Sequence, residues 1–175
     1  NHVMEKSKLI NKVDSTTAEI YMYGVIGSGL DIDANVVIAE IENLRKKGCR
    51  NFRFYVNSEG GEVIQGSALF NYLDSTDIEA EWVVDGVAAS MMAMLISNPK
   101  HKVKAAKYAS FMYHRVQGSC YGNSDEVRNL AAMIDTFEKS LVDMMASRMK
   151  VDAASVKKEF FTDGLDHWMN AEEAM

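Results

Sequence analysis

The feature that most constrains the fold is a strand-then-helix pattern that recurs three times along the chain. Apolar or alternating segments that stop at glycine or asparagine predict strands at residues 18–27, 51–57 and 78–86. Helical spacing of apolar residues follows each of them, at residues 31–47, 62–73 and 90–96. Alternating strands and helices are joined by right-handed crossovers, so the pattern predicts an α/β fold with a mainly parallel sheet.

The second half of the chain is more helical. Two short strands are predicted in "HKVKAA" and "YASFMYH", followed by a long helix from Ser124 to about Lys150. One stripe of this helix is apolar and must pack against something: Val127, Leu130, Ala131, Ile134, Phe137, Leu141 and Met144 or Met145. No linker or repeat divides the sequence, so residues 1–175 are predicted to form one domain, with 1–17 an irregular N-terminal segment.

Composition argues against several classes of protein. The net charge of −6 gives no basic face for nucleic acid. Cys49 and Cys120 lack CxxC spacing and nearby histidines, so no zinc site is predicted, and free thiols fit a reducing cytoplasm. No apolar run approaches the ~18 residues of a membrane span, and the N-terminus has no signal-peptide core. We therefore expect a cytoplasmic protein without a nucleic-acid or membrane partner.

Chemistry is expected in the loops at the carboxyl ends of the predicted strands, where open α/β sheets bind ligands. The first loop reads "NSEGGEV", residues 57–63, and its paired glycines Gly60 and Gly61 directly follow a strand. Paired glycines let a backbone approach a ligand and aim N–H groups at it. A tight turn with a helix cap is the alternative interpretation.

The second and third loops carry one reactive side chain each. Ser90, in "DGVAASMMAML", is either a helix N-cap or a nucleophile on a strand-to-helix turn. His114, in "FMYHRV", ends an apolar strand and is either a structural histidine or a general base. A nucleophile, a base and a loop of N–H donors are together the parts that acyl transfer needs.

A serine–histidine pair is completed by a carboxylate that fixes the imidazole tautomer. The segment "FTDGLDHWMNAEEAM" offers Asp163 and Asp166 in a turn ahead of a final helix. Asp163 precedes glycine, a common turn signal with a structural explanation of its own, which favours Asp166. The resulting order of serine, histidine and aspartate differs from that of the α/β-hydrolases, so that fold is not expected.

Several motifs together resemble the proteolytic subunit of Clp protease, and especially its phage and prophage relatives, the head-maturation proteases. They are "NSEGG", "GVAASMMA", "MYHRV", "YGNSDEVRNLAAMID" and "DHWMNAEEA". The resemblance implies a crotonase-like, ClpP-like α/β fold, cofactor-free hydrolysis of polypeptides, and homo-oligomeric rings that enclose the active sites. It implies no metal.

The resemblance also implies a role for each motif residue. Ser90 is the nucleophile, His114 the general base and Asp166 the orienting acid. The backbone N–H groups of Gly61 and Met91 form the oxyanion hole. The natural function is then that of a serine endopeptidase that cuts capsid or scaffold proteins during head assembly.

The glycine-rich loop and the N-terminus depart from the family pattern. Glu59 stands where the family usually has proline, which adds a charge beside the substrate groove that Gly60 and Val63 are expected to line. The N-terminal segment lacks the pattern with which the Clp subunit meets its ATPase, which argues against an unfoldase partner.

Three other functions compete with this one. A crotonase-like enzyme would act on acyl-thioesters through the oxyanion hole alone. A Ser–Lys peptidase would need one of Lys102, Lys104 or Lys107, which lie outside a recognisable motif. A non-catalytic shell or assembly protein would use the same residues only structurally, and an active-site serine probe distinguishes it from a peptidase.

Overall fold

A computed structural model describes residues 10–175 as one mixed sheet with helices packed against it. The strands are β1 (Ile10–Lys12), β2 (Thr17–Ile26), β3 (Asn51–Gly61), β4 (Glu79–Ala89), β5 (Lys102–Ala105), β6 (Ser110–Tyr113) and β7 (His167–Asn170). The helices are α1 (Ala34–Lys46), α2 (Val63–Ser75), α3 (Met91–Leu95), α4 (Ser124–Met149), α5 (Ala153–Phe160) and α6 (Ala171–Ala174).

The sheet is mainly parallel, as the repeated strand–helix pattern predicts. Its strand order is β1-β2-β3-β4-β6-β7, and β5 pairs with the first half of β4. Only the outermost pairs, β1 with β2 and β6 with β7, are antiparallel. The central strands bury every second side chain against the helices, and Phe52, Phe54 and Trp82 form the aromatic centre of that core.

The crossover helices begin and end where their capping residues allow. Asp33 caps α1 by accepting hydrogen bonds from the backbone N–H groups of Asn35 and Val36, which would otherwise lack partners. Gly48 follows the helix with a φ of 96°, a left-handed conformation that suits glycine. These caps place the ends of α1 a few residues inside the range that apolar spacing predicts.

The structure differs from the sequence-based expectation at several places, one of which is β4, predicted to end at Gly86 and observed to end at Ala89. Strand β3, predicted to end at Asn57, continues through the glycine pair to Gly61, because this stretch keeps pairing with β2. The closing segment holds a helix, α5, and a strand, β7, that the sequence analysis did not predict.

The N-terminal segment expected to be irregular contains the short strand β1, and β2 already begins at Thr17. Residues 1–9, on which the expectation about an ATPase partner mainly rests, lie outside the described part of the chain. Within residues 10–175, no helix is both long and apolar enough to cross a bilayer.

Helix α4 is the longest element and is only partly packed against its own sheet. Its C-terminal half buries Leu141 and Met145, as the apolar stripe predicts, and also Val142, which the stripe does not include. In its N-terminal half, by contrast, Val127 is 51% exposed and Ala131 is exposed as well. Part of the predicted stripe is therefore not covered by any other part of residues 10–175.

Candidate active site

Ser90 occupies the sharp turn between β4 and α3. Its φ of 55° and ψ of −125° are unusual for a residue with a side chain, and such strain is typical of a nucleophile presented on a strand-to-helix turn. The turn is held by the Ser90 N–H, which donates to the carbonyl of Met112 at 2.9 Å. Although Ser90 stands at the N-cap position of α3, its hydroxyl makes no capping hydrogen bond.

The hydroxyl of Ser90 instead faces the imidazole of His114. Nε2 of His114 lies 2.7 Å from Oγ of Ser90, which is hydrogen-bond distance. His114 directly follows β6, and β6 pairs in parallel with the end of β4 that leads into Ser90. The sheet register therefore brings together two side chains that are 24 positions apart in the sequence.

The two candidate acids occupy different positions around this pair. Oδ1 of Asp166 lies 3.6 Å from Nδ1 of His114, an ion-pair distance that is too long for a hydrogen bond. That Nδ1 is buried and has no hydrogen-bond partner among the described residues. Asp166 is the acid nearest the imidazole, and its side chain is 53% exposed.

Asp163 makes its contacts within the turn, to Leu165 and His167. Its Oδ1 accepts a hydrogen bond from the backbone N–H of Leu165 and lies 3.0 Å from Nε2 of His167. The Leu165 N–H, and then the His167 imidazole, lower the pKa of the Asp163 carboxyl. Asp163 therefore holds the turn that carries Asp166 and does not contact His114.

The glycine pair at the end of β3 approaches the nucleophile closely. A Cβ on Gly60 would lie 2.6 Å from the carbonyl oxygen of Ala89 and 2.8 Å from Cβ of Ser90. A Cβ on Gly61 would collide with the carbonyl of Ile26 in the neighbouring strand. The backbone can reach the Ser90 turn here because both residues are glycine.

Polar side chains before the glycine pair support this conformation. The buried hydroxyl of Ser58 accepts a hydrogen bond from the Gly60 N–H at 3.1 Å. The side-chain oxygen of Asn57 accepts one from the N–H of Val87, which ties β3 to the next strand. Glu59, by contrast, is exposed.

A cleft of about 190 Å³ opens beside the Ser90–His114 pair. Its lining residues are Gly61, Val63, Ser90, Met91, Met94, His114, Arg115, Val116, Gln117 and Leu141. Of the residues predicted to contact substrate, Val63 lies in this lining, whereas Glu59 and Gly60 do not.

Arg115, Gln117 and Leu141 line the cleft but were not predicted as site residues. Arg115 stands directly after His114 in "MYHRV", and that adjacency was the available signal. Leu141 reaches the cleft from the distant helix α4, so no local pattern marks it.

Other chemistries find little support at this cleft. Within residues 10–175, no group of three or more histidine, cysteine or acidic residues could hold a metal ion. The side chain of Lys104 pairs with Glu81 at 2.7 Å, and neither is in the cleft lining. Lys102 and Lys107 are also absent from the described lining, so none of the three candidate lysines lies in the cleft beside Ser90.

Comparison with known sequences agrees with the geometry. A family model described as Clp protease matches residues 6–175, nearly the whole chain. The chain belongs to the Clp protease family. Its fold is the mixed α/β fold of that family, and it is a serine protease.

Individual relatives named as Clp protease subunits share about a quarter to a third of their aligned residues with this chain. It is 25% identical to an ATP-dependent Clp protease proteolytic subunit of Bacteroides fragilis, over 99% of this chain and 84% of the relative. It is 31% identical to ATP-dependent Clp protease proteolytic subunit 2 of Chlamydia trachomatis, over 81% of this chain and 70% of the relative. A similar subunit from Bacteroides thetaiotaomicron is 25% identical over 99% of this chain.

Proposed function

We propose that this Clp protease family member hydrolyses peptide bonds with Ser90 as nucleophile, His114 as general base and Asp166 as orienting acid. The observation that carries the proposal is the 2.7 Å contact between Oγ of Ser90 and Nε2 of His114, at a strained turn beside a cleft. A structural N-cap would instead use its hydroxyl to bond the helix backbone, and Ser90 makes no such bond.

Acylation follows from this contact. With the proton of the neutral imidazole on Nδ1, Nε2 accepts the Ser90 proton as Oγ attacks the carbonyl carbon of the scissile bond. The carbonyl electrons move to oxygen, giving a tetrahedral oxyanion. When that intermediate collapses, the C–N bond breaks and Nε2 gives its proton to the leaving amine, which leaves an acyl-serine.

We assign stabilisation of the oxyanion to the backbone N–H groups of Gly61 and Met91. Both residues line the cleft beside Ser90. Met91 is the first residue of α3, so its N–H has no carbonyl acceptor within that helix. Donors of this kind stabilise charge that develops only in the transition state, and each is typically worth about 10²–10³ in rate.

Deacylation repeats the same steps with water as the nucleophile. Water gives one proton to Nε2 and attacks the acyl carbonyl, and Ser90 leaves with that proton. Asp166 stabilises the imidazolium formed in each half-reaction and favours the tautomer with a proton on Nδ1. A shift of less than 1 Å would bring Asp166 from 3.6 Å into hydrogen-bond range of Nδ1. Such contacts often tighten only when substrate is bound.

The assembly proposed for this chain is a homo-oligomeric ring in the cytoplasm, built from single peptidase domains spanning residues 1–175. The exposed apolar residues in the N-terminal half of α4 support an intersubunit contact, because nothing in the described residues 10–175 covers them. The natural substrates proposed are capsid or scaffold proteins of a phage or prophage, on the basis of the "YGNSDEVRNLAAMID" resemblance. The relatives are named as subunits of an ATP-dependent protease.

Labelling with a fluorophosphonate tests the assignment of the nucleophile. We expect the probe to modify Ser90, and we expect Ser90→Ala to abolish both labelling and peptide cleavage without unfolding the protein. Ser97→Ala is the matched control and should keep both labelling and cleavage, because Ser97 is a buried serine that bonds the Ala93 carbonyl and does not line the cleft. Labelling of Ser58 or Ser110, or no labelling of the folded wild type, would refute the proposal.

A further inference from the structure

One side chain in the cleft carries a permanent charge. Among the described lining residues, Arg115 alone is a lysine, arginine, aspartate or glutamate, and most of the others are apolar. It stands next to His114 in the sequence, so its backbone is fixed beside the proposed catalytic pair. A cation in a cleft whose described lining holds no acidic side chain favours a negative charge on whatever binds there.

The Arg115 guanidinium is hydrogen-bonded to the buried carboxylate of Glu138. Its Nε donates to Oε2 of Glu138 on α4 at 3.2 Å, and the Glu138 side chain is only 5% exposed. A buried carboxylate that binds an arginine through Nε restricts the orientation of the planar guanidinium.

The two Nη groups of the Arg115 guanidinium are available to a ligand. The two Nη groups of Arg115 have no hydrogen-bond partner within residues 10–175, and the side chain is 43% exposed. Guanidinium groups bind carboxylates through pairs of N–H donors, so the two Nη groups can donate to both oxygens of a carboxylate in a planar, bidentate contact. Because Glu138 already restrains the guanidinium, less conformational entropy is lost when a ligand binds.

We propose that Arg115 is a specificity-determining residue that selects polypeptide substrates with an acidic side chain next to the scissile bond. This inference deepens the proposed function and rests on it, because Arg115 acts on substrate bound beside Ser90. Glu138 is the positioning residue for Arg115. A purely structural role, in which the pair only ties the His114 segment to α4, is the alternative that the experiment must separate.

Matched peptides provide the main measurement. Peptides that differ only by Glu against Gln, or Asp against Asn, at each position around one cleavage site are compared by kcat/KM. We expect wild type to prefer the acidic peptide by about tenfold at one position, as a charge-assisted hydrogen bond allows. Arg115→Gln should remove that preference, and Arg115→Lys should keep part of it because the charge remains.

Two further variants separate selection from structural support. Arg128→Gln removes an exposed arginine of α4 that pairs with Asp125 and does not line the cleft, so it should leave the preference unchanged. Glu138→Gln breaks the same ion pair as Arg115→Gln but keeps the cation. Any loss of turnover that comes only from breaking the pair should therefore appear in both variants and with both peptides, whereas Glu138→Gln alone should still favour the acidic peptide.

Two results would overturn the proposal: equal use of acidic and amide peptides by wild type at every position, or a preference that survives in Arg115→Gln. Binding to the inactive Ser90→Ala protein, measured by fluorescence anisotropy, gives the same comparison without catalysis. We expect the acidic peptide to bind more tightly only while Arg115 is present. A protein that discriminates in this assay but cleaves nothing would contradict the proposed function alone.

Discussion

Nδ1 of His114 lies 3.6 Å from Oδ1 of Asp166, and this nitrogen is buried without any hydrogen-bond partner in the described structure. A buried polar atom left unpaired is costly, so a short movement of Asp166 toward the imidazole is energetically favoured. The other ring nitrogen is already at hydrogen-bond distance from Ser90. The imidazole of His114 is thus at hydrogen-bond distance from Ser90 but not yet from Asp166.

Replacing Asp166 with Asn should reduce kcat by a factor on the order of 10³, because the amide can no longer stabilise the imidazolium. Asp163→Asn should cost much less, since Asp163 contacts Leu165 and His167 and not His114. Steady-state cleavage of a peptide measures both variants. Near-normal turnover of Asp166→Asn with collapse of Asp163→Asn would reverse the assignment, and little loss in either would indicate a Ser–His dyad.

Gly60→Ala should impair the nucleophile specifically. The new Cβ would lie 2.6 Å from the Ala89 carbonyl and 2.8 Å from Cβ of Ser90, so the Ser90 turn must move. A displacement of about 1 Å can cost a factor of 10² in rate, which we expect for fluorophosphonate labelling of Ser90.

Gly29→Ala is the matched control for this substitution. Gly29 also has a positive φ, 72°, but a Cβ there would meet nothing within 4 Å. Gly29→Ala should add only backbone strain, which lowers the free energy of unfolding measured in urea by about 1–2 kcal/mol. Fluorophosphonate labelling of Ser90 should stay normal. Equal labelling rates in the two variants would show that the close approach of Gly60 is unimportant.

Much of the fold follows from local patterns, because each strand–helix unit has its own periodicity. The approximate position of α1, the parallel sheet and the position of Ser90 at a strand-to-helix turn were all predictable in this way. The strand β3 was predicted too short because Gly60 and Gly61 are poor strand formers in isolation. In the structure both glycines stay in the strand because they pair with β2. Glycine is needed there because the backbone passes close to Ile26 and Ser90.

The features that the sequence did not reveal depend on long-range partners. Strand β7 forms because β6 offers it an antiparallel edge, and α5 buries only Val156 and Phe160. The Arg115–Glu138 pair joins residues 23 positions apart. In sequence, Glu138 interrupts an apolar stripe and is indistinguishable from a solvent-exposed helix residue.

The N-terminal half of α4 should carry an intersubunit contact. Val127→Glu would place a charge among its exposed apolar residues and should shift the protein to smaller species in light scattering, because a charge buried at an interface is costly. Asn129→Glu adds the same charge to another face of the helix and should not change the mass. A wild type that is monomeric at every concentration, or a Val127→Glu protein of unchanged mass, would contradict the proposed assembly.

Stability should depend on pH through His101, which is buried against the aromatic core. Burial lowers the pKa of its imidazole below the ordinary value, and Nδ1 accepts a hydrogen bond from Nε1 of Trp82 at 3.3 Å. Protonation would both charge a buried ring and remove that acceptor. Because the unfolded chain binds the proton more tightly, this contribution is complete above the unfolded pKa of about 6.5 and is lost as pH falls below it.

Urea unfolding followed by tryptophan fluorescence at pH 7.5 and pH 5.5 measures this effect. Wild type should lose more unfolding free energy between the two values than His101→Gln, which keeps a polar side chain that cannot be protonated. All other ionisable groups are common to the two proteins, so their contributions cancel in the comparison. An identical pH dependence in the two proteins would show that His101 does not titrate differently in the folded and unfolded states.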